Sequence, residues 1–150
     1  MKDCKPASGF TLIQVIVALA VIAILAGIAF PSYKEAVRKG KRAEGRAALY
    51  QLMLQQERFY SQRNRYIAFS PGASDEDGKR FKWYSGNSPG TSAYEIRGEA
   101  CANDSIDNCV RLVATPGSAR VDASFKDPLC GVLSLTSTGQ KDANAPECWR

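Results

Sequence analysis

From Phe10 to Phe30 this chain runs for 21 residues without a formal charge. As a helix rising about 1.5 Å per residue, the run is about 31 Å long, the thickness of a bilayer's hydrocarbon core. A membrane helix fits this length and composition, and a soluble core helix fits them poorly. The nine residues ahead of it carry Lys2 and Lys5 but no apolar stretch of their own, unlike a secretory peptide cut on the far side of the membrane. The expected cut therefore lies before the apolar run. A single-pass anchor with no assembly role is the plainer alternative.

Beyond the run, charge is unevenly spread. Residues 34–65 hold nine Lys or Arg against Glu35, Glu44 and Glu57, a net of +6, whereas residues 66–150 are net −2. The basic stretch suits anionic lipid head groups, or a filament interior beside acidic neighbours. Six basic residues follow the apolar run within 16 positions and two precede it, which opposes the positive-inside rule for a cytoplasmic N-terminus. The N-terminus is still expected inside, because the cysteine-bearing domain has to be outside and long domains translocate largely regardless of charge.

Cys4 precedes the expected cut, leaving Cys101, Cys109, Cys130 and Cys148 in the mature chain. Four cysteines distal to a membrane run read as two disulfides made in an oxidising compartment. Three pairings can be drawn, and local pairing along a meander of strands, Cys101 with Cys109 and Cys130 with Cys148, is the simplest. With no Cys-x-x-Cys and no His in the chain, zinc is disfavoured.

The helical pattern resumes after Pro31: Ala36, Ala43, Ala47, Tyr50 and Leu54, flanked by Leu49 and Met53, form a face able to pack on a sheet. The helix is expected to end near Arg63-Asn64. Breakers and charges then fill residues 64–92, which read as a long connecting loop. Tyr94, Ile96 and Gly98 alternate with Glu95 and Arg97, Val110, Leu112 and Ala114 with Arg111 and Val113, and Leu133 and Leu135 with Ser134 and Thr136, as strands do, before a turn at Thr138-Gly139. A short last strand is expected near Lys141 or Cys148-Trp149. The predicted fold is α+β, an amphipathic helix against an antiparallel sheet.

Gly9-Phe10-Thr11-Leu12-Ile13 resembles the cleavage motif of type IV prepilins, and the resemblance continues through Pro31-Ser32-Tyr33 and the helix, covering about residues 9–66. It implies a type IVa minor pilin with Gly9 as the last leader residue and Phe10 as the methylated mature N-terminus. The implied segments are a leader (1–9), a transmembrane and assembly helix (10–33), an amphipathic helix (34–63), an αβ-loop (64–92) and a sheet with a disulfide-closed C-terminal segment (93–150). Pro31 by itself reads as a stop or a kink, and the resemblance favours the kink. Cys130–Cys148 is the loop closure such proteins often carry. The implied partners are other pilins, the prepilin peptidase and the inner-membrane assembly platform. The implied location is the inner membrane, with the C-terminal domain in the periplasm, then the surface pilus of a Gram-negative bacterium.

One position departs from the family pattern. Most pilins carry Glu at the fifth mature position, where it neutralises a neighbour's N-terminal amine, and here that position is Gln14. An amide cannot balance a buried ammonium. A subunit at or near the filament tip, or one that primes assembly, has no earlier neighbour to pair and tolerates Gln; a neutral substitution anywhere in the filament is the alternative.

No catalytic constellation is legible. Without His there is no Ser-His or Cys-His pair, nor is there a Gly-rich phosphate loop, so no enzyme and no cofactor are expected. Asp75-Glu76-Asp77-Gly78 lacks the spacing of a calcium loop and reads as an acidic turn. Lys79, Arg80, Lys82 and Trp83, interleaved with Phe81 and Tyr84, form the candidate ligand patch for DNA or a surface ligand, with cations for phosphates and rings for bases. The alternative is a loop-borne strand with Phe81 and Trp83 turned inward and Lys82 and Tyr84 outward. The functional reading is a minor pilus subunit serving adhesion, twitching motility or DNA uptake. A type II secretion pseudopilin, or a pilus-displayed binding module, are the alternatives.

Overall fold

The computed structural model describes residues 11–150. Gly9 and Phe10, the two processing residues, lie outside the described residues. A single helix, α1 (Leu12–Arg63), runs through Pro31; the proline removes one backbone donor from the ladder, yet helix follows on both sides. The chain divides into two compact units, one up to Val37 and one from Arg38 to Arg150.

In the first unit every side chain from Thr11 to Lys34 is exposed, including Leu12, Ile16, Leu19, Ile22, Leu25 and Phe30. This stretch of α1 is long and apolar enough to cross a membrane. The helix opens on a capping box: the Thr11 backbone N–H donates to Gln14 Oε1 at 3.0 Å, and the Gln14 N–H reaches back to Thr11 Oγ1 at 3.4 Å. Gln14 thus satisfies one of the donors that a helix start leaves without an intrahelical acceptor.

The second unit packs the rest of α1 on a four-stranded antiparallel meander. Its strands are β1 (Tyr94–Ala100), β2 (Val110–Pro116), β3 (Leu133–Thr136) and β4 (Lys141–Asp142), in that spatial order. Period-two alternation puts Ile96, Ala114 and Leu133 in one inward row, and Gly98, Leu112 and Leu135 in the next. All of these are buried. Of the two sites expected for a last strand, Lys141 holds it, while Pro146–Trp149 forms a 3-10 turn. Helix α1 stops at Arg63 because Asn64 takes φ +54, a left-handed conformation that asparagine tolerates.

The helix face facing the sheet differs from the expected one. Ala43, Ala47, Tyr50 and Leu54 are exposed, and the buried face is Arg42, Gly45, Ala48, Leu49, Leu52 and Gln56. Alanine and tyrosine counted as apolar in the periodicity, but the sheet selects for close approach and for hydrogen bonds. Gly45 meets the Tyr94 ring, whose Cδ2 would lie 2.8 Å from an added Cβ. Gln56 donates to the Ile67 carbonyl at 2.8 Å and accepts from the Ile67 N–H at 3.1 Å, holding the chain that leaves the helix.

The buried Arg42 makes a two-pronged ion pair with Asp127, Nε to Oδ2 at 2.8 Å and Nη2 to Oδ1 at 2.7 Å. Tyr94 Oη donates to Oδ2 at 2.8 Å, and the Cys130 N–H to Oδ1 at 3.3 Å. Disulfides join Cys101 to Cys109 and Cys130 to Cys148. The second closes the C-terminal segment over the core, where Arg46 Nη1 donates to the carbonyls of Cys148, at 3.1 Å, and of Arg150.

Candidate functional site

The segment after α1, expected as a loop, runs along the outer edge of β1. Phe69 and Gly98 exchange backbone bonds of 3.0 and 2.9 Å, and Ser85 N–H donates to Tyr94 O at 3.0 Å. The Ile96 N–H donates to Trp83 O at 2.7 Å. Breakers made residues 64–92 read as a loop, but the pairing at Trp83 and Ser85, with Phe81 inward and Lys82 outward, fits the loop-borne strand weighed as the alternative, save that Trp83 and Tyr84 are both half-buried; it covers an edge that would otherwise present unpaired amides. Gly98 is required where it stands, because the Phe69 ring lies 2.7 Å from the position a Cβ would take.

This edge carries the candidate patch, and the packing sends its members in different directions. Phe81 is buried, stacked on Phe69 with centroids 5.1 Å apart and edge-on to Phe59 at 6.2 Å. Trp83 and Tyr84 are both half-buried and meet edge to face at 5.2 Å. The Lys82 ammonium donates to the Gly86 carbonyl at 2.7 Å and sits 5.1 Å over the Tyr84 ring. Lys79 pairs with Glu76 at 2.8 Å, with both side chains largely in solvent; such a pair is worth well under about 1 kcal/mol and opens readily. Asp75 is occupied in accepting the Gly78 N–H, so the acidic turn is a local cap paired with its own basic neighbours.

Arg80 is largely in solvent, its side chain 71% exposed and 3.9 Å from Asp77. Its backbone carbonyl accepts from Gln55 Nε2 of α1 at 3.0 Å. That bond pins the loop to the helix and opens a pocket of about 150 Å³ lined by Gln55, Arg58, Phe59, Gln62, Arg80 and Phe81. Arg58 is exposed and makes no ion pair among the described residues. The sequence placed Arg58 in the basic stretch of residues 34–65 and Arg80 in the patch; only the fold brings them to one pocket. The basic stretch is also less available than its charge suggests, since Arg42 is buried on Asp127, Arg46 binds C-terminal carbonyls, and Lys41 bonds Glu44 and the Thr91 carbonyl.

A second pocket, about 380 Å³, lies on the outer face of the sheet beside the Cys101–Cys109 loop. Asp104 and Asp142 stand there with Arg111, a balance that does not favour a polyanion.

Residues 31–134 match the family of the type IV minor pilin ComP, DNA uptake sequence receptor. The chain belongs to this minor pilin family. Residues 4–30 of this minor pilin match the prokaryotic N-terminal methylation motif. A curated relative, the type IV major pilin protein PilA of Myxococcus xanthus (strain DK1622), is 36% identical over 75 residues. Those residues are 49% of this chain and 34% of the relative, so the match spans about a third of that relative's length. A solved type IV pilin from Shewanella oneidensis shares 26% identity with a TM-score of 0.48, over 75% of this minor pilin and 98% of the other chain. The non-core minor pilin PilV of Neisseria meningitidis shares 17% identity with a TM-score of 0.47, over 72% and 87%. Pilins are structural proteins, and an exposed apolar helix on a disulfide-bonded domain is the material of a membrane-anchored fibre subunit.

Proposed function

We propose that this minor pilin is a structural subunit of a type IV pilus that binds DNA for uptake through its loop-edged face. It is inserted in the inner membrane with its domain in the periplasm, cleaved by the prepilin peptidase after Gly9 and methylated on Phe10. The inner-membrane assembly platform then brings it into contact with other pilins. The exposed apolar surface of α1 supports burial first in lipid and then among pilin helices. The family in which it falls is described as a DNA uptake sequence receptor. The observation that carries the binding reading is the edge segment itself: Lys79, Arg80 and Lys82 are exposed beside the Trp83–Tyr84 ring pair, on a backbone fixed to β1. With the backbone held at Trp83 and Ser85, contact with phosphates orders side chains and not the segment.

The test is the triple variant Lys79→Gln, Arg80→Gln, Lys82→Gln in the full chain held in neutral detergent. Its log–log salt slope for duplex DNA is expected to flatten by about 0.9 for each phosphate that is no longer neutralised. A wild-type chain that binds no DNA at low salt removes the reading.

Placement at or near the tip, or in priming the filament, rests on Gln14. In the subunit its side-chain oxygen is engaged with Thr11, and its amide supplies no charge for a neighbour's amine. Gln14→Glu is expected to raise incorporation along the shaft strongly, read as the amount of this subunit in sheared filaments. Unchanged incorporation would exclude the tip assignment.

A further inference from the structure

We infer that Arg58 and Arg80, with Gln62 beside them, form a cradle for a single phosphodiester group of a nucleic acid backbone. The inference rests on the DNA-binding reading above and names a phosphate site outside the sequence-contiguous patch. Both arginines line one small pocket, and the planar fork of a guanidinium group matches phosphate oxygens. Arg58 has no carboxylate partner among the described residues, and Arg80 has only the long contact to Asp77. Neither side chain is therefore committed to the protein's own charges.

The floor of the pocket is rigid and apolar. Phe81 is held between Phe69 and Phe59, and Gln55 fixes the Arg80 backbone to α1. With the Arg80 backbone already held, binding orders two side chains and not the loop. The pocket, about 150 Å³, has room for one phosphate group, and a backbone contact of this kind positions the nucleic acid without reading sequence. From there the strand continues past Lys79 towards Lys82 and the Trp83–Tyr84 pair, which lie along the same edge segment.

The experiment compares wild type, Arg58→Gln, Arg58→Lys and the Lys79→Gln, Lys82→Gln pair with and without Arg58→Gln, each as full chain in neutral detergent, titrated with a fluorescent duplex over roughly 50 to 200 mM salt. Arg58→Gln is expected to make the salt slope shallower by about 0.9, in the wild-type and the double-lysine background alike. Arg58→Lys is expected to keep the slope while weakening binding, because a lysine holds phosphate as a point charge without the fork. An unchanged thermal midpoint confirms that exposed Arg58 is not structural. If wild type binds and Arg58→Gln matches it in slope and affinity, the cradle is overturned and the DNA reading stands. If wild type binds no duplex even at the lowest salt, both fall.

Discussion

Asp127→Ala is expected to destabilise the folded domain by about 3–5 kcal/mol, the usual cost of removing one partner from a buried ion pair. The thermal midpoint of the full chain in detergent, followed by near-UV circular dichroism, should fall by roughly 10–20 °C. The size follows from how many buried groups this carboxylate serves. It accepts two guanidinium bonds from Arg42, whose side chain is 8% exposed, one from the Tyr94 hydroxyl and one from the Cys130 backbone. Alanine removes the acceptor of all four bonds at once, in a site where water cannot replace it. A destabilisation below about 1 kcal/mol would refute the assignment. Replacing both partners, Arg42→Met with Asp127→Leu, is expected to cost less than Asp127→Ala alone, because no buried charge is left to satisfy.

The same site sets a pH signature. Burial by itself pushes the Asp127 carboxyl up, but the hydrogen bonds from Arg42, Tyr94 and the Cys130 N–H outweigh it and hold the group below its ordinary value of 3.8. Burial, then the bond to Asp127, pushes the Tyr94 hydroxyl up. A carboxylate whose folded pKa is depressed contributes stability that is fully present above its unfolded value and lost as pH falls through the folded one. Acid unfolding is therefore expected to steepen below about pH 4, and Asp127→Asn should flatten that limb.

Removing the Cys130–Cys148 disulfide, by serine at both positions, is expected to cost about 3 kcal/mol from loop entropy. Both cysteines are fully buried in the core, so the poorer packing adds to it. The Cys101–Cys109 pair closes a shorter loop, with a separation of 8 against 18 residues and Cys101 half-buried. Its removal is expected to cost about 2.5 kcal/mol and no more. Urea denaturation of the two double variants ranks them. Amide exchange in residues 141–149 should rise only in the first, because that disulfide, the Asn144 N–H bond to Cys130 O and the Arg46 clamp hold the segment down. A difference between the variants of only about 0.5 kcal/mol, the loop-length difference alone, would show that the C-terminal closure does not stabilise beyond its loop length.

The apolar run, the helix end at Arg63 and the three longer strands were legible because each is a local signal: length without charge, an asparagine able to turn left-handed, and period-two alternation. The packed face of α1 was not. Counting apolar positions found Leu49 and Met53 on the flank but also selected Ala43, Ala47, Tyr50 and Leu54, whereas burial followed a glycine that admits the Tyr94 ring, a charge matched by Asp127 85 residues away and an amide matched by the Ile67 backbone. Polar residues read as surface until a distant partner is known.

The patch shows the same division. Its cations and rings could be picked out from six consecutive residues, yet their directions were decided by tertiary packing that buries Phe81 and ties Lys82 to Gly86. By itself the sequence determined that this chain carries a membrane-length helix and an antiparallel domain whose four cysteines lie beyond the helix, since these depend on pattern along the chain. Only the tertiary structure decided which helix face is buried, that the loop edges β1 and that Arg58 and Arg80 line one pocket. Each of these is a pairing between residues far apart in sequence, and no local preference encodes such a distance.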